Sequence, residues 1–282
     1  MRNGARRQAA RELVRRGARV LALSCFMTGD VLGGLNDTGI VTFVNASNHL
    51  LRREPTDHPG QDARHGRDAV ARAGKLTKTG GGTKSFDFTK LDAAGKELPA
   101  NAKVWVCVRD NVTGLIWEAK TGDGGLRDKE HSYSWYNPDP TTNGGLAGER
   151  HRGTCTGSRC DTQAYVEAVN GLGLCGFRNW RLPTLVELRS LVDYGKASRN
   201  GPPTIDETHF VNMPLKEAMR GPGTPEDPRR INHYLGDNKW YWTSHPTAGV
   251  PHHAWRVTFR DGNDGLGDKG NPVHVMLVRG AK

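Results

Sequence analysis

Residues 176–194 read GFRNWRLPTLVELRSLVDY, and the reading of this stretch decides the fold. Phe177, Trp180 and Leu182 make a short apolar strand, and Pro183 holds Leu182 in extended backbone. Thr184 and Glu187 then have the spacing of a capping box: the hydroxyl can accept from the Glu187 amide, and the carboxylate can reach back to the Thr184 amide. Leu185, Leu188, Leu191 and Val192 recur at helical spacing and form one apolar face. Gly195 is expected to close the helix in a left-handed conformation. A strand therefore turns sharply into a buried amphipathic helix, which marks the fold rather than any chemistry.

Upstream, residues 104–120 predict a hairpin. Val104, Val106 and Val108 alternate with Trp105, Cys107 and Arg109, the turn is 110–114, and Leu115-Ile116-Trp117 returns as a strand. Residues 121–160 form a long loop pinned to the core by Trp135 and Tyr136. Asp161 is placed to cap a helix from Thr162, with Tyr165, Ala168, Val169 and Leu172 as its buried stripe and Gly171 as its end. Cys155 and Cys160 enclose four residues and can bridge locally; Cys107 would pair with Cys175, leaving Cys25 as the odd cysteine. The C-x4-C spacing has no second half, so zinc is not indicated and no metal site is expected. Paired cysteines favour an oxidising compartment.

Downstream, Trp255, Val257 and Phe259 alternate with Arg256, Thr258 and Arg260; Val273, Val275 and Leu277 alternate with His274 and Met276. On adjacent strands the first sets would be buried, and Arg256, Thr258, Arg260, His274 and Met276 presented together. His252, His253 and the glycine-rich loop 264–272 would form the rim. Asp261, Asp264 and Asp268 lack the EF-hand spacing, and a surface turn accounts for them.

The formal charge of +10 is concentrated at the N-terminus. Residues 1–20 carry seven arginines and one acid, Glu12, while the remainder has 33 basic and 29 acidic residues. A nucleic-acid-binding domain would carry its basic footprint on the folded body, so none is expected. Residues 1–29 read as a leader: Arg15-Arg16 precedes a short apolar run, and Ala22-Leu23-Ser24-Cys25 resembles a lipobox with Cys25 as the lipidated residue. No run reaches the roughly 18 apolar residues of a membrane span. Residues 30–100 are polar and glycine-rich and read as an irregular wrap; 101–282 is the main domain, with the binding region at 241–279.

The motif W-R-L-P-T-x-x-E-L-x-S-L-V-D resembles the signature of the Lcl C-terminal domain family, named for a collagen-like bacterial adhesin. Asp110-x-x-Thr113-Gly114-Leu115-x-Trp117 is similar to a second motif of that family. The frame Tyr241-Trp242-Thr243-Ser244, Ala248, Ala254-Trp255, Val257, Phe259, Gly262 and Val275-Met276-Leu277-Val278-Arg279 is similar to a third, with Met276 where an arginine is common. Segments 35–40 and 60–68 resemble N-terminal motifs of bacterial members. The resemblance implies an α+β, C-type-lectin-like fold related to the formylglycine-generating enzymes: loop-rich, with small antiparallel sheets and two helices.

Some members are similar to variable proteins of diversity-generating retroelements, whose adenine-directed mutagenesis randomises AAY codons near the C-terminus, and such codons cannot produce Glu, Gln, Lys, Trp or Met. Positions 250–253, 256, 258, 260, 261, 264–268, 270–272 and 274 contain none of these; Lys269 and Met276 need another codon origin. The expectation is a binding protein, with no catalytic residues and no cofactor. Its contact set is Val250, Pro251, His252, His253, Arg256, Thr258, Arg260, Asp261, Asp264, Leu266, Asp268, Asn271, His274 and Met276. The partner is a protein or cell-surface ligand, glycans included, outside the cytoplasm. A membrane is reached only through a lipid anchor, and the oligomeric state is left open. The alternatives are an adhesin for sulfated polysaccharide and an enzyme of the formylglycine-generating type.

Overall fold

Residues 273–277 form the spine of the molecule. In the computed structural model, which describes residues 35–197, 202–213 and 239–280, they run between two hydrophobic clusters. Val273, Val275 and Leu277 enter one, with Trp135, Trp180 and Trp242; Met276 enters the other, with Trp117, Tyr241 and Phe259. The alternation expected of a half-exposed strand is present, but both of its sides are covered. Tyr133 N donates to Val273 O at 2.8 Å, Trp242 N to His274 O at 3.0 Å and Glu118 N to Leu277 O at 3.0 Å.

Among the described residues the fold is α+β and loop-rich, with three small antiparallel sheets and few helices. One sheet pairs β1 (Phe43–Val44) with β2 (Leu50–Leu51). A second orders β3 (Phe88–Leu91), β4 (Cys107–Asp110), β5 (Ile116–Glu118) and β9 (Val278–Arg279) side by side. The third places β7 (His253–Thr258) between β6 (Trp240–Pro246) and β8 (Asp264–Asp268). The α-helices among the described residues are α1 (Gly66–Arg72), α2 (Thr162–Leu172) and α3 (Leu185–Arg189).

The expected hairpin is β4–β5, with Val108 opposite Trp117. β3 comes from the stretch read as irregular, because Phe86, Phe88 and Leu91 bury themselves against it. The two acidic motifs of that stretch meet: Gly39 N donates to Asp68 Oδ2 at 2.7 Å and Asp68 N to Asp37 Oδ2 at 2.9 Å. Gly39 has φ +76°, and a side chain there would collide with the Asp193 carboxylate.

The capping box of the organising stretch forms as its sequence dictates, but residues 177–182 make no strand, only a single bridge from Arg181 to Val278. Thr184 Oγ accepts from Glu187 N at 3.2 Å, and Thr184 N donates to Glu187 Oε2 at 2.8 Å. Leu188, Leu191 and Val192 are buried. The helix is shorter than expected, and a 3-10 turn at Tyr194–Lys196 follows it. Gly195 sits inside that turn rather than acting as a left-handed cap. It is glycine because the Gly39 carbonyl passes where a Cβ would stand.

Asp161 caps α2, accepting from Ala164 N at 2.9 Å. The helix runs past Gly171 to Gly173, whose φ of +69° ends it. Leu172 is exposed, and the buried side is Ala164, Tyr165 and Val169. Both expected disulfides are present, Cys107–Cys175 and Cys155–Cys160. Trp135 is pinned through Nε1 to Thr243 O at 2.9 Å, while Tyr136 stays half-buried. Among the described residues no helix is long and apolar enough to cross a membrane. The leader 1–29 and Cys25 lie outside the described residues.

Candidate functional site

The third sheet carries most of the expected contact residues. Its register places Trp255 opposite Leu266, His253 opposite Asp268 and Val257 opposite Asp264, so these side chains share one face. Ala254, Arg256 and Thr258 share the other face, with Trp240 and Trp242 of β6.

The second face is not a recognition surface. Arg256 and Thr258 are buried, contrary to expectation. The Arg256 guanidinium lies over the Trp240 ring, 4.5 Å from its centre, and burial lowers its pKa. Gly265 and Gly267 lie opposite; a Cβ on Gly267 would stand 2.9 Å from Trp242 Cη2 and 3.0 Å from Arg256 Cδ. Trp240-Tyr241-Trp242 could have revealed this, because consecutive aromatics put one ring or more on each face of the sheet.

His274 and Met276 are likewise buried. The neighbours of β7 are β6 and β8, so residues 273–277 do not lie beside it. His274 pairs opposite Tyr241, with ring centres 5.5 Å apart, and therefore lies on the face away from Arg256. Its Nδ1 donates to His131 O at 2.9 Å, and burial lowers its pKa to about 4. The expected loop 264–272 begins as strand β8.

The accessible residues fall at two ends of the sheet. Arg260 and Asp261 are half-buried in the β7–β8 turn, where Asp264 pairs with Arg189 of α3 at 3.4 Å. The other end holds Val250, Pro251, His252, His253, Asp268 and Asn271, all exposed or half-buried. At about 3.4 Å per residue, β7 separates the two ends by roughly 17 Å.

Between them, Trp255, expected inside with Val257 and Phe259, is only half-buried, and Leu266 is 40% exposed. α3 packs on β6 and β7 but spans only five residues, about 8 Å. Leu188 of α3 joins Val257 and Phe259 in one hydrophobic cluster, to which Trp255 does not belong. Lys269, buried, donates to Asn143 O at 2.8 Å and Leu146 O at 2.6 Å, anchoring the neighbouring loop beside this end.

Two further polar groupings escaped the sequence reading. Glu118 and Lys120 are buried together at 3.2 Å; Glu118 accepts from the Tyr165 hydroxyl and, at 3.0 Å, from Leu277 N. This network ties β5, α2 and the spine. Carboxylate oxygens of Asp37, Asp62 and Asp68 lie within 4.8 Å of one another. Burial, and the charge of Asp37 with it, pushes Asp68 upward. The spacing of Asp37 from 62 and 68 in sequence hid that grouping.

The fold and this sheet define a small, disulfide-bonded α+β domain with one partly open sheet face. Residues 106–279 match the Lcl C-terminal domain, and the chain belongs to that family. No curated protein and no solved structure matches the chain.

Proposed function

We propose that the chain is a ligand-binding protein, a C-type-lectin-like scaffold whose contact surface is the His253–Trp255–Leu266–Asp268 end of the third sheet. The observation that carries this reading is the cross-strand pair of half-buried Trp255 and exposed Leu266, on a sheet that buries Tyr241, Trp242, Ala254 and Val257. An aromatic and an aliphatic anchor bordered by His252, Asp268 and Asn271 have the composition of a recognition patch. The disulfides support an extracytoplasmic setting, at the cell surface or in the periplasm. Membrane attachment in this reading is through a lipid on Cys25. The ligand class is a protein or a surface glycan, not a nucleic acid.

The sulfated-polysaccharide version is less well supported, because it needs Arg256 and Arg260 together and Arg256 is buried. Weak, salt-sensitive retention on heparin is the most it allows. A binding role also fits better than formylglycine-type chemistry, since the four described cysteines are all held in disulfides. Diversification by a retroelement fits the exposed positions 251, 252, 266 and 271, and it fits the burial of Lys269 and Met276; positions 256, 258 and 274, also buried, do not fit. A template repeat beside the gene, differing only at adenines, is its test.

The binding reading is tested with labelled full-length chain on a glycan array and on intact cells. Saturable binding should fall about 30-fold or more in Trp255→Ala and Leu266→Asp, and should survive Glu167→Ala on the exposed side of α2. Binding that survives both face variants, or no saturable binding at all, overturns the proposal.

A further inference from the structure

We propose that His252, His253 and Asp268 form a binding site for a divalent transition-metal ion of the zinc, cobalt or nickel class. Each residue offers a ligand atom, and the three atoms lie within 4.8 Å of one another. The two imidazole centres are 4.4 Å apart. Adjacent residues of a regular strand point to opposite faces. Here β7 begins only at His253, so His252 lies in the preceding turn and its ring can swing toward its neighbour's.

The backbone that carries the three is fixed. His253 lies opposite Asp268 in the β7–β8 ladder. Lys269 N donates to His252 O at 2.8 Å, His253 N to Val250 O at 2.9 Å and Thr247 N to His253 O at 3.1 Å. Asp268 Oδ1 accepts from Gly270 N at 2.8 Å, which orients the carboxylate and leaves Oδ2 available. A ligating carboxylate held in this way by a second hydrogen bond is the usual arrangement around a metal.

Two observations point to a cation rather than to a fortuitous cluster. His253 Nδ1 is shielded from solvent and has no hydrogen-bond partner. A buried ring nitrogen left without a partner calls for a missing one. Asp268 forms no ion pair with any described lysine or arginine, although Arg152 and Arg189 pair with Glu149 and Asp264 nearby in the sequence or sheet. A metal held through Nδ1 of His253 would supply that partner and balance the Asp268 carboxylate.

The donor chemistry sets the ion. Two imidazoles and one carboxylate suit zinc, cobalt, nickel or copper, and are too nitrogen-rich for calcium or magnesium. Metal–ligand bonds of about 2.0–2.2 Å require the donor atoms to close up slightly, which rotation of the exposed His252 side chain permits. Three protein ligands leave coordination positions open to water or to a donor atom on a bound molecule. The site adjoins the Trp255–Leu266 patch but rests on its own geometry.

The test uses chelator-treated full-length protein titrated with Zn2+ by calorimetry and with Co2+ by visible absorption. The expected result is one site of micromolar or tighter affinity. Loss of groups that merely orient a ligand costs metal sites about 10–100-fold, so His253→Ala, Asp268→Asn and His252→Gln should each weaken binding at least tenfold. His58→Ala, at the separate His58–Asp57 pair, should not. His252 is exposed, so His252→Gln keeps the test valid if the other variants misfold. Affinity weaker than millimolar, or affinity indifferent to His252→Gln in folded protein, overturns the site. Repeating the ligand screen in chelator separates the two proposals: a metal site without ligand, or ligand binding without metal, can each stand alone.

Discussion

His274 shows what burial does to a single residue that was expected to face a ligand. Its ring is enclosed, and Nδ1 is committed as a donor to the His131 carbonyl. The charged form loses its water, and the nearby charges of Lys120 and Lys239 add to the cost, so the pKa falls from 6.5 to about 4. A histidine lowered in the folded state is neutral there while the unfolded chain takes up protons. Its contribution is complete above pH 6.5 and is lost as the pH falls toward 4. Unfolding free energy should therefore drop by roughly 2–3 kcal/mol from this group between pH 7.5 and 4.5. Urea midpoints at the two pH values measure it. His274→Gln keeps a donor for His131 and should flatten that part of the acid limb; an unchanged acid limb in the variant would mean that another group is responsible.

At the scale of an element, α3 depends on its first turn. Five residues are too few to hold a helix in water unaided. Glu187 is opposed by burial, yet the Arg181 guanidinium at 2.6 and 2.8 Å and the Thr184 amide hold its carboxyl below the usual range. Thr184→Ala removes the hydroxyl end of the box and should cost about 1 kcal/mol, with Thr184→Ser restoring most of it, read from urea denaturation. The β6–β7–β8 sheet teaches a different lesson about elements. Alternation correctly identified β7, and Val257 and Phe259 are inside as expected. It gave no account of what covers the other side, where Trp240 and Trp242 enclose Arg256.

At the scale of the molecule, the two disulfides constrain very different lengths of chain. Cys107–Cys175 spans a separation of 68 residues, Cys155–Cys160 only 5. Loop-closure entropy makes the first worth about 4 kcal/mol and the second about 2. The paired variants Cys107→Ala/Cys175→Ala and Cys155→Ala/Cys160→Ala should differ in that order in thermal midpoint. A larger drop from the short loop would show that native contacts, not chain entropy, dominate.

What the sequence determined by itself was local. The capping box, the Asp161 cap, the β4–β5 hairpin and the cysteine partners all follow from spacings within a short stretch or from a small count of residues. Pattern and composition were enough, because the interactions concerned are made by near neighbours or by covalent chemistry. The tertiary structure alone decided which faces are covered. Residues 273–277 became a spine because two clusters, built from segments far apart in the chain, close on both sides of it. For the same reason Arg256, Thr258, His274 and Met276 went inside, and His252, His253 and Asp268 came together across a strand pair. A strand's alternation says that its two faces differ; what lies against each face depends on which distant segments the chain brings there.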